Sequence, residues 1–105
     1  MVNLNVSEVK SSGFRVCVEK EGKDVGHAYL YVMKNDIHNR PFGFVEDVFL
    51  DESCRGSGLG KELMSKITEL AKEKNCYKMI FTSRYGKDKL HDYYENQGFT
   101  KHGFE

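Results

Sequence analysis

The chain has 105 residues, which is the length of one small domain, predicted here over residues 1–105. Its 16 basic and 16 acidic side chains give a formal net charge of zero, which argues against a nucleic-acid binder. With 39% hydrophobic and 12% aromatic residues, the chain is expected to fold around a core rather than to be disordered. No apolar run approaches the roughly 20 residues of a membrane span, so a cytoplasmic protein without membrane contact is the default expectation.

The front half of the sequence is typical of β-structure. Apolar residues alternate with polar ones, as half-buried strands require, and turn residues separate the runs. Four strands are predicted, at Val2–Val6, Phe14–Val18, Val25–Met33 and Phe44–Leu50. The last of these carries apolar residues at both odd and even positions, and therefore on both faces, which indicates a central strand covered on both sides.

The back half begins with a helical period. Apolar residues from Leu59 to Ala71 recur on one helix face, which predicts a helix over about 58–74 that stops at Asn75. A fifth strand is expected over Tyr77–Thr82, followed by a helix over about Asp88–Gln97 and a final short strand. This order of elements indicates an α+β or mixed α/β fold.

A glycine-rich segment, Asp51–Lys61, lies between the fourth predicted strand and the first predicted helix. Glycines at positions 56, 58 and 60 allow close approach of a ligand or another backbone, and a helix N-terminus attracts phosphate. The spacing fits neither the dinucleotide fingerprint nor the P-loop. A flexible turn without a ligand remains the alternative interpretation.

Metal chemistry is not indicated. The three cysteines are an odd number without a C-x-x-C pair, and the four histidines lack metal-ligand spacing. The sequence therefore predicts neither a metal site nor a disulfide framework, and the histidines are interpreted as scattered surface residues.

Two separated motifs resemble those of the GNAT superfamily of N-acyltransferases. Arg55-Gly56-x-Gly58-x-Gly60 is similar to the acyl-CoA signature of that family, and Tyr93–Phe99 is similar to its Tyr-Glu-x-x-Gly-Phe element. The resemblance implies a mostly antiparallel central sheet of six to seven strands with two main helices, splayed between the fourth and fifth strands. The family's first two helices have only Ser7–Gly13 available here, so they are missing or reduced to a turn.

The resemblance implies acetyl-CoA as co-substrate and no metal. The pantetheine arm is expected on the backbone of Val48, Phe49 and Leu50. The pyrophosphate is expected on the turn and the helix start, a cofactor-binding set that comprises Arg55, Gly56, Ser57, Gly58, Leu59, Gly60 and Lys61.

The acceptor is implied to be a primary amine, which attacks only when neutral. A lysine-like amine is about 0.04% neutral at pH 7, a cost of roughly 4.6 kcal/mol, so the site must either remove a proton with a base or bind the rare neutral form. The resemblance places that base at Glu46, with Asp47 as a second, substrate-binding contact, and a general acid for the leaving thiolate at Tyr94. Adjacent carboxylates in a strand point to opposite faces unless a bulge intervenes, and family members typically carry one at this point.

An N-acetyltransferase is the function that these observations favour. A catalytically silent acyl-CoA binding or regulatory module of the same fold is the alternative. The acceptor stays open between a small molecule and a protein amine, although Glu46-Asp47 and Cys76–Lys78 look like glucosamine-phosphate N-acetyltransferases and Glu46-Asp47 also looks like polyamine acetyltransferases. The family resemblance and an edge strand in need of protection further predict a homodimer.

Overall fold

A computed structural model describes residues 2–81. Within this range lie β1 (Ser11–Lys20), β2 (Lys23–Met33), β3 (Phe42–Leu50), α1 (Leu59–Glu73) and β4 (Met79–Phe81). A short 3-10 helix over Glu52–Cys54 leads from β3 towards α1. The predicted second helix and last strand lie outside the described residues, and so do Tyr93 and Tyr94.

The four described strands form one mixed sheet in the order β1-β2-β3-β4. The first three are antiparallel, whereas β3 and β4 run parallel. Glu21 and Gly22 both have positive φ, 52° and 78°, as a tight hairpin between β1 and β2 requires. This architecture confirms the α+β class with a mixed sheet. The described range contains four of the six to seven predicted strands and one of the two predicted helices.

The interior position predicted for the fourth strand is confirmed, because β3 lies between β2 and β4. The parallel ladder joins Gly43–Val45 of β3 to Met79–Phe81 of β4. The predicted splay concerns β3 beyond Val45, where the corresponding residues of the neighbouring strand lie outside the described range.

The strand predicted over Val2–Val6 is wrong. Residues 2–10 form no regular element, and the side chains of Val2, Leu4 and Val6 are more than 90% exposed. Alternation supplies one apolar face, but a strand is stable only where a neighbouring strand and a core accept it. Ser11 begins the first strand that satisfies both conditions.

The core lies between α1 and one face of the sheet. Ala28, Leu30 and Val45 from the strands meet Leu63, Ile67 and Ala71 from the helix. This is the apolar helix face that the sequence predicted.

The two ends of the helix also match the prediction. Gly58 occupies the N-cap position, and at the other end Asn75 (φ 64°) donates its N–H to Lys72 while Cys76 donates to Ala71, as in a Schellman motif.

Candidate functional site

A β-bulge interrupts the pairing of β3 with β2. Tyr29 pairs with Glu46 and His27 with Phe49, so two residues of β3, Asp47 and Val48, stand opposite one residue of β2. Asp47 has φ 54°, the left-handed region that glycine usually occupies in such bulges. Aspartate is one of the few other residues that tolerate it.

The bulge resets which face each side chain of β3 occupies. Glu46 and Phe49 both lie on the face opposite α1, since their partners Tyr29 and His27 share that face. Leu50 returns to the helix side, where its methyl carbons approach Gly26 and the first turn of α1 at Gly60. The extra residue therefore places a carboxylate and an aromatic ring on the same face of the sheet, opposite α1.

Glu46 and Asp47 are both exposed. Within residues 2–81, neither carboxylate forms an ion pair or a side-chain hydrogen bond. Both groups are therefore accessible to a cationic ligand. Glu46 lies at the middle of β3, and Asp47 follows it directly at the bulge.

The predicted cover of β3 on both faces is wrong for its second half. Val48 is 42% exposed and Phe49 is 49% exposed. Apolar residues occur at both odd and even positions here because the bulge shifts the alternation of side chains between the two faces. Val48, Phe49 and Leu50 thus belong to a partly uncovered stretch of β3 that leads directly into the glycine-rich turn.

Hydrogen bonds fix the path of the chain from β3 into this turn. Asp51 donates its N–H to the carbonyl of Val25 (2.7 Å), and its side chain accepts from the N–H of Ser53. Arg55 donates from Nε to the carbonyl of Leu50 (3.2 Å), and Ser57 Oγ donates to the carbonyl of Cys54. The turn is therefore tied to the strand end rather than left as a free loop.

The glycines leave space around the turn. Gly56 and Gly58 have φ 81° and 87°, and a Cβ at either position would meet no atom within 4 Å. Gly58 caps α1 without a side chain, at the helix end whose dipole favours an anion. Lys61 in the first helical turn is exposed and adds a positive charge. This open, positively polarised turn fits a pyrophosphate group.

Cys54 is buried, 1% exposed, beneath the turn. It is one of the buried apolar residues of the described range. Within residues 2–81, no three histidine, cysteine or acidic side chains come close enough together to hold a metal ion. The helix in this part of the chain is too short and too polar to span a membrane.

Two residues that the sequence did not single out, His27 and Tyr29, lie beside Phe49 and Glu46. The ring of His27 lies 5.6 Å from that of Phe49 and 5.7 Å from that of Tyr29, between ring centroids. Tyr29 is the direct cross-strand partner of Glu46. The period-2 run His27, Tyr29, Tyr31 was the available signal, because it marks one face of β2.

Comparison with known proteins gives a family match over most of the chain. The family described as acetyltransferase (GNAT) family matches residues 4–99. The match extends across the bulged strand, the glycine-rich turn and the residues beyond the described range.

Curated relatives share up to two fifths of their aligned residues with the chain. A glucosamine 6-phosphate N-acetyltransferase of Trypanosoma brucei brucei is 39% identical over 87 residues, which are 82% of this chain and 57% of that protein. A probable glucosamine 6-phosphate N-acetyltransferase of Drosophila melanogaster is 37% identical over 98 residues, 89% of this chain and 43% of that protein. The chain thus spans about half the length of these relatives.

Solved structures show the same fold. Glucosamine-6-phosphate N-acetyltransferase from Arabidopsis thaliana superposes with a TM-score of 0.79 at 25% identity, covering 89% of this chain and 63% of that one. A putative acetyltransferase from Agrobacterium tumefaciens gives a TM-score of 0.76 at 33% identity, covering 85% of this chain and 64% of that one.

Proposed function

The chain belongs to the acetyltransferase (GNAT) family, and we propose that it transfers the acetyl group of acetyl-CoA to the amine of glucosamine 6-phosphate. The relatives of Trypanosoma and Drosophila carry that substrate in their names. The observation that carries the proposal is the bulge in β3, which leaves the Glu46 and Asp47 carboxylates accessible on the strand that leads into the open glycine-rich turn.

The turn and the strand end would hold the co-substrate. Acetyl-CoA supplies a thioester, whose carbonyl carbon accepts the amine and whose sulfur leaves as a thiolate. Backbone amides around Gly56 and Gly58 would face the pyrophosphate, with Arg55 and Lys61 adding charge. The backbone of Val48–Leu50 would pair with the pantetheine arm as an added strand does.

Glu46 is proposed as the general base. An acceptor ammonium would be drawn to the accessible carboxylate, which removes a proton directly or through water so that the neutral amine attacks. Asp47 follows Glu46 in the chain and lies in the bulge, and it is proposed as a second contact to the cationic acceptor. Its left-handed backbone turns it away from the direction that a regular strand would impose.

Tyr94 is proposed as the general acid that returns a proton to the leaving sulfur. It lies outside the described residues, so this role rests on its match to the family's Tyr-Glu-x-x-Gly-Phe element. A phenol can donate a hydrogen bond to a thiolate of ordinary pKa near 8.5, which makes the sulfur a better leaving group.

The direct test is an assay of the purified chain with acetyl-CoA and glucosamine 6-phosphate. Thiol release should depend on both substrates, and mass spectrometry should identify the N-acetylated sugar phosphate. Acetylation of polyamines or lysine peptides instead would change the proposed acceptor but retain the enzyme class. Tight binding of acetyl-CoA without turnover of any amine would support the catalytically silent binding module.

The proposed partners are acetyl-CoA and the amine acceptor, without nucleic acid or membrane, in a cytoplasmic protein. A homodimer is also proposed, because β1 forms one edge of the described sheet and an edge strand favours pairing. Sedimentation at micromolar concentration should then give twice the monomer mass.

A further inference from the structure

Three register partners form a row across the face of the sheet opposite α1. Arg15 of β1 is the register partner of Tyr29 of β2, and Tyr29 is the register partner of Glu46 of β3. Neighbouring strands lie about 4.8 Å apart, so the backbones of Arg15 and Glu46 are separated by roughly 10 Å. The backbone of Arg15 thus lies at one end of the row and that of Glu46, the candidate catalytic residue, at the other.

The guanidinium is held in place but remains accessible. Arg15 Nη2 donates to Asp24 Oδ2 at 2.6 Å, and the two side chains are 40% and 44% exposed. The hydrogen bond to Asp24 raises the pKa of Arg15, and the neighbouring Tyr29 raises it further. Arginine carries five N–H donors, and the contact with Asp24 occupies one of its nitrogens.

Tyr29 separates the two charges with an aromatic surface. It is half-buried, and its ring stacks on that of Tyr31 with 6.3 Å between centroids. The row therefore offers an anionic end, an apolar middle and a cationic end, in that order. This matches an acceptor that carries an ammonium and an anion on opposite sides of a compact ring.

We propose that Arg15 is a specificity-determining residue that binds the phosphate of the acceptor whose amine contacts Glu46. The inference rests on the proposed function. In glucosamine 6-phosphate the amine and the phosphate lie on opposite sides of the hexose, as Glu46 and Arg15 lie on opposite sides of Tyr29. Guanidinium groups bind phosphate through paired, charge-assisted hydrogen bonds. An exposed ion pair such as Arg15–Asp24 is weak, so a phosphate dianion can share or replace the carboxylate.

The kinetic test compares phosphorylated with unphosphorylated glucosamine. Arg15→Gln should raise KM for glucosamine 6-phosphate tenfold or more, while KM for acetyl-CoA and for glucosamine stays within twofold. Arg15→Lys should fall between wild type and Arg15→Gln, because it keeps the charge but loses the paired donors. Lys20→Gln is the matched control, since it removes one positive charge from the exposed end of the same strand. The proposal would be overturned if Arg15→Gln raised KM equally for glucosamine 6-phosphate and glucosamine. It would also be overturned if Lys20→Gln raised KM for glucosamine 6-phosphate as much as Arg15→Gln does.

A binding measurement separates this inference from the proposed activity. Glucose 6-phosphate has the phosphate but no amine, and isothermal titration should detect its binding to the wild type. Arg15→Gln should weaken that binding tenfold or more, with an unchanged melting temperature as evidence that the fold is intact. If this binding is lost in the variant while no acetyl transfer occurs, the phosphate site stands and the proposed function fails. If glucose 6-phosphate binds the two proteins equally, Arg15 has no such role.

Discussion

Glu46 and Phe49 lie on the same face of β3 although three positions along a regular strand would place them on opposite faces. The extra residue of the bulge accounts for the difference. It brings the carboxylate into line with Tyr29 and the phenyl ring against His27. The geometry of the candidate site thus depends on one residue, Asp47, in a left-handed conformation.

The first prediction concerns the backbone at Asp47. Asp47→Gly should leave the free energy of unfolding within about 1 kcal/mol of wild type, because glycine adopts positive φ without steric cost. Asp47→Val should lower it by about 1–2 kcal/mol relative to Asp47→Gly, since a left-handed conformation places Cβ against the backbone. Urea denaturation measures both values. Equal stabilities would mean that the bulge rearranges around the side chain.

The second prediction concerns the proposed base. Glu46→Gln should lower the rate of acetyl transfer by about 10²–10⁴-fold, which is the usual contribution of a general base. The defect should be largest at low pH and should shrink at high pH, where the amine loses its proton unaided. Rate profiles against pH measure this. Glu73→Gln, at the far end of α1 from the turn, serves as the control and should match wild type throughout. A defect independent of pH would argue for a binding role of Glu46 instead.

The third prediction compares two glycines at which any other residue would be strained, because both have positive φ. Gly58 and Gly22 have φ 87° and 78°, and a Cβ at either would meet no atom within 4 Å. Substitution by alanine at either position should therefore cost about 1–2 kcal/mol of stability. Acetyl-CoA at about 100 times its dissociation constant should stabilise the wild type by roughly 2.7 kcal/mol.

Thermal unfolding with and without acetyl-CoA distinguishes these two variants. Gly22→Ala, in the distant hairpin, should retain the ligand-induced rise in melting temperature, whereas Gly58→Ala should lose most of it. Retention of the full shift in both variants would indicate that the glycine-rich turn serves the fold and not the ligand.

The fourth prediction concerns the order in which the cysteines react. Cys17 is exposed, Cys76 is partly buried and Cys54 is buried. Burial raises the pKa of Cys76, so its reactive thiolate is scarcer at a given pH. Iodoacetamide should therefore modify Cys17 first, Cys76 more slowly and Cys54 only on unfolding, as read from peptide masses over time.

The same pKa shift makes stability depend on pH. A thiol whose pKa is higher in the folded state than in the unfolded state stabilises the fold below the unfolded value, and this contribution is lost as pH rises through the folded value. Stability should thus fall above about pH 8.5, the usual thiol pKa. Cys76→Ser should show a smaller fall over that range, and an identical fall in both proteins would contradict the assignment.

The fifth prediction concerns Tyr94. Tyr94→Phe should lower turnover tenfold or more with little change in acetyl-CoA affinity, because the hydroxyl acts mainly in the transition state. Tyr93→Phe is the matched control and should be nearly normal. If Tyr93→Phe were the variant with low turnover, the general acid would be Tyr93 instead of Tyr94. If both variants had normal turnover, neither tyrosine would protonate the leaving thiolate.

The sequence by itself determined the elements whose signals are local. The helix over Leu59–Glu73 follows from an apolar period of 3.6 and from end residues that suit its termini, so its bounds were predictable to within a residue. The glycine-rich turn was equally readable, because left-handed positions such as Gly56 and Gly58 select glycine on their own. Glu46 and Asp47 could be named as candidates because charged pairs are conspicuous in an apolar strand.

Only the tertiary structure decided which side chains share a face. The alternation of Val2, Leu4 and Val6 was as clear as that of β1, yet these residues pair with none of the described strands and stay exposed. The bulge at Asp47 and the row from Arg15 through Tyr29 to Glu46 join residues that are up to 31 positions apart. Strand register results from non-local packing and hydrogen bonding, which local periodicity does not encode, and one inserted residue reverses every face after it.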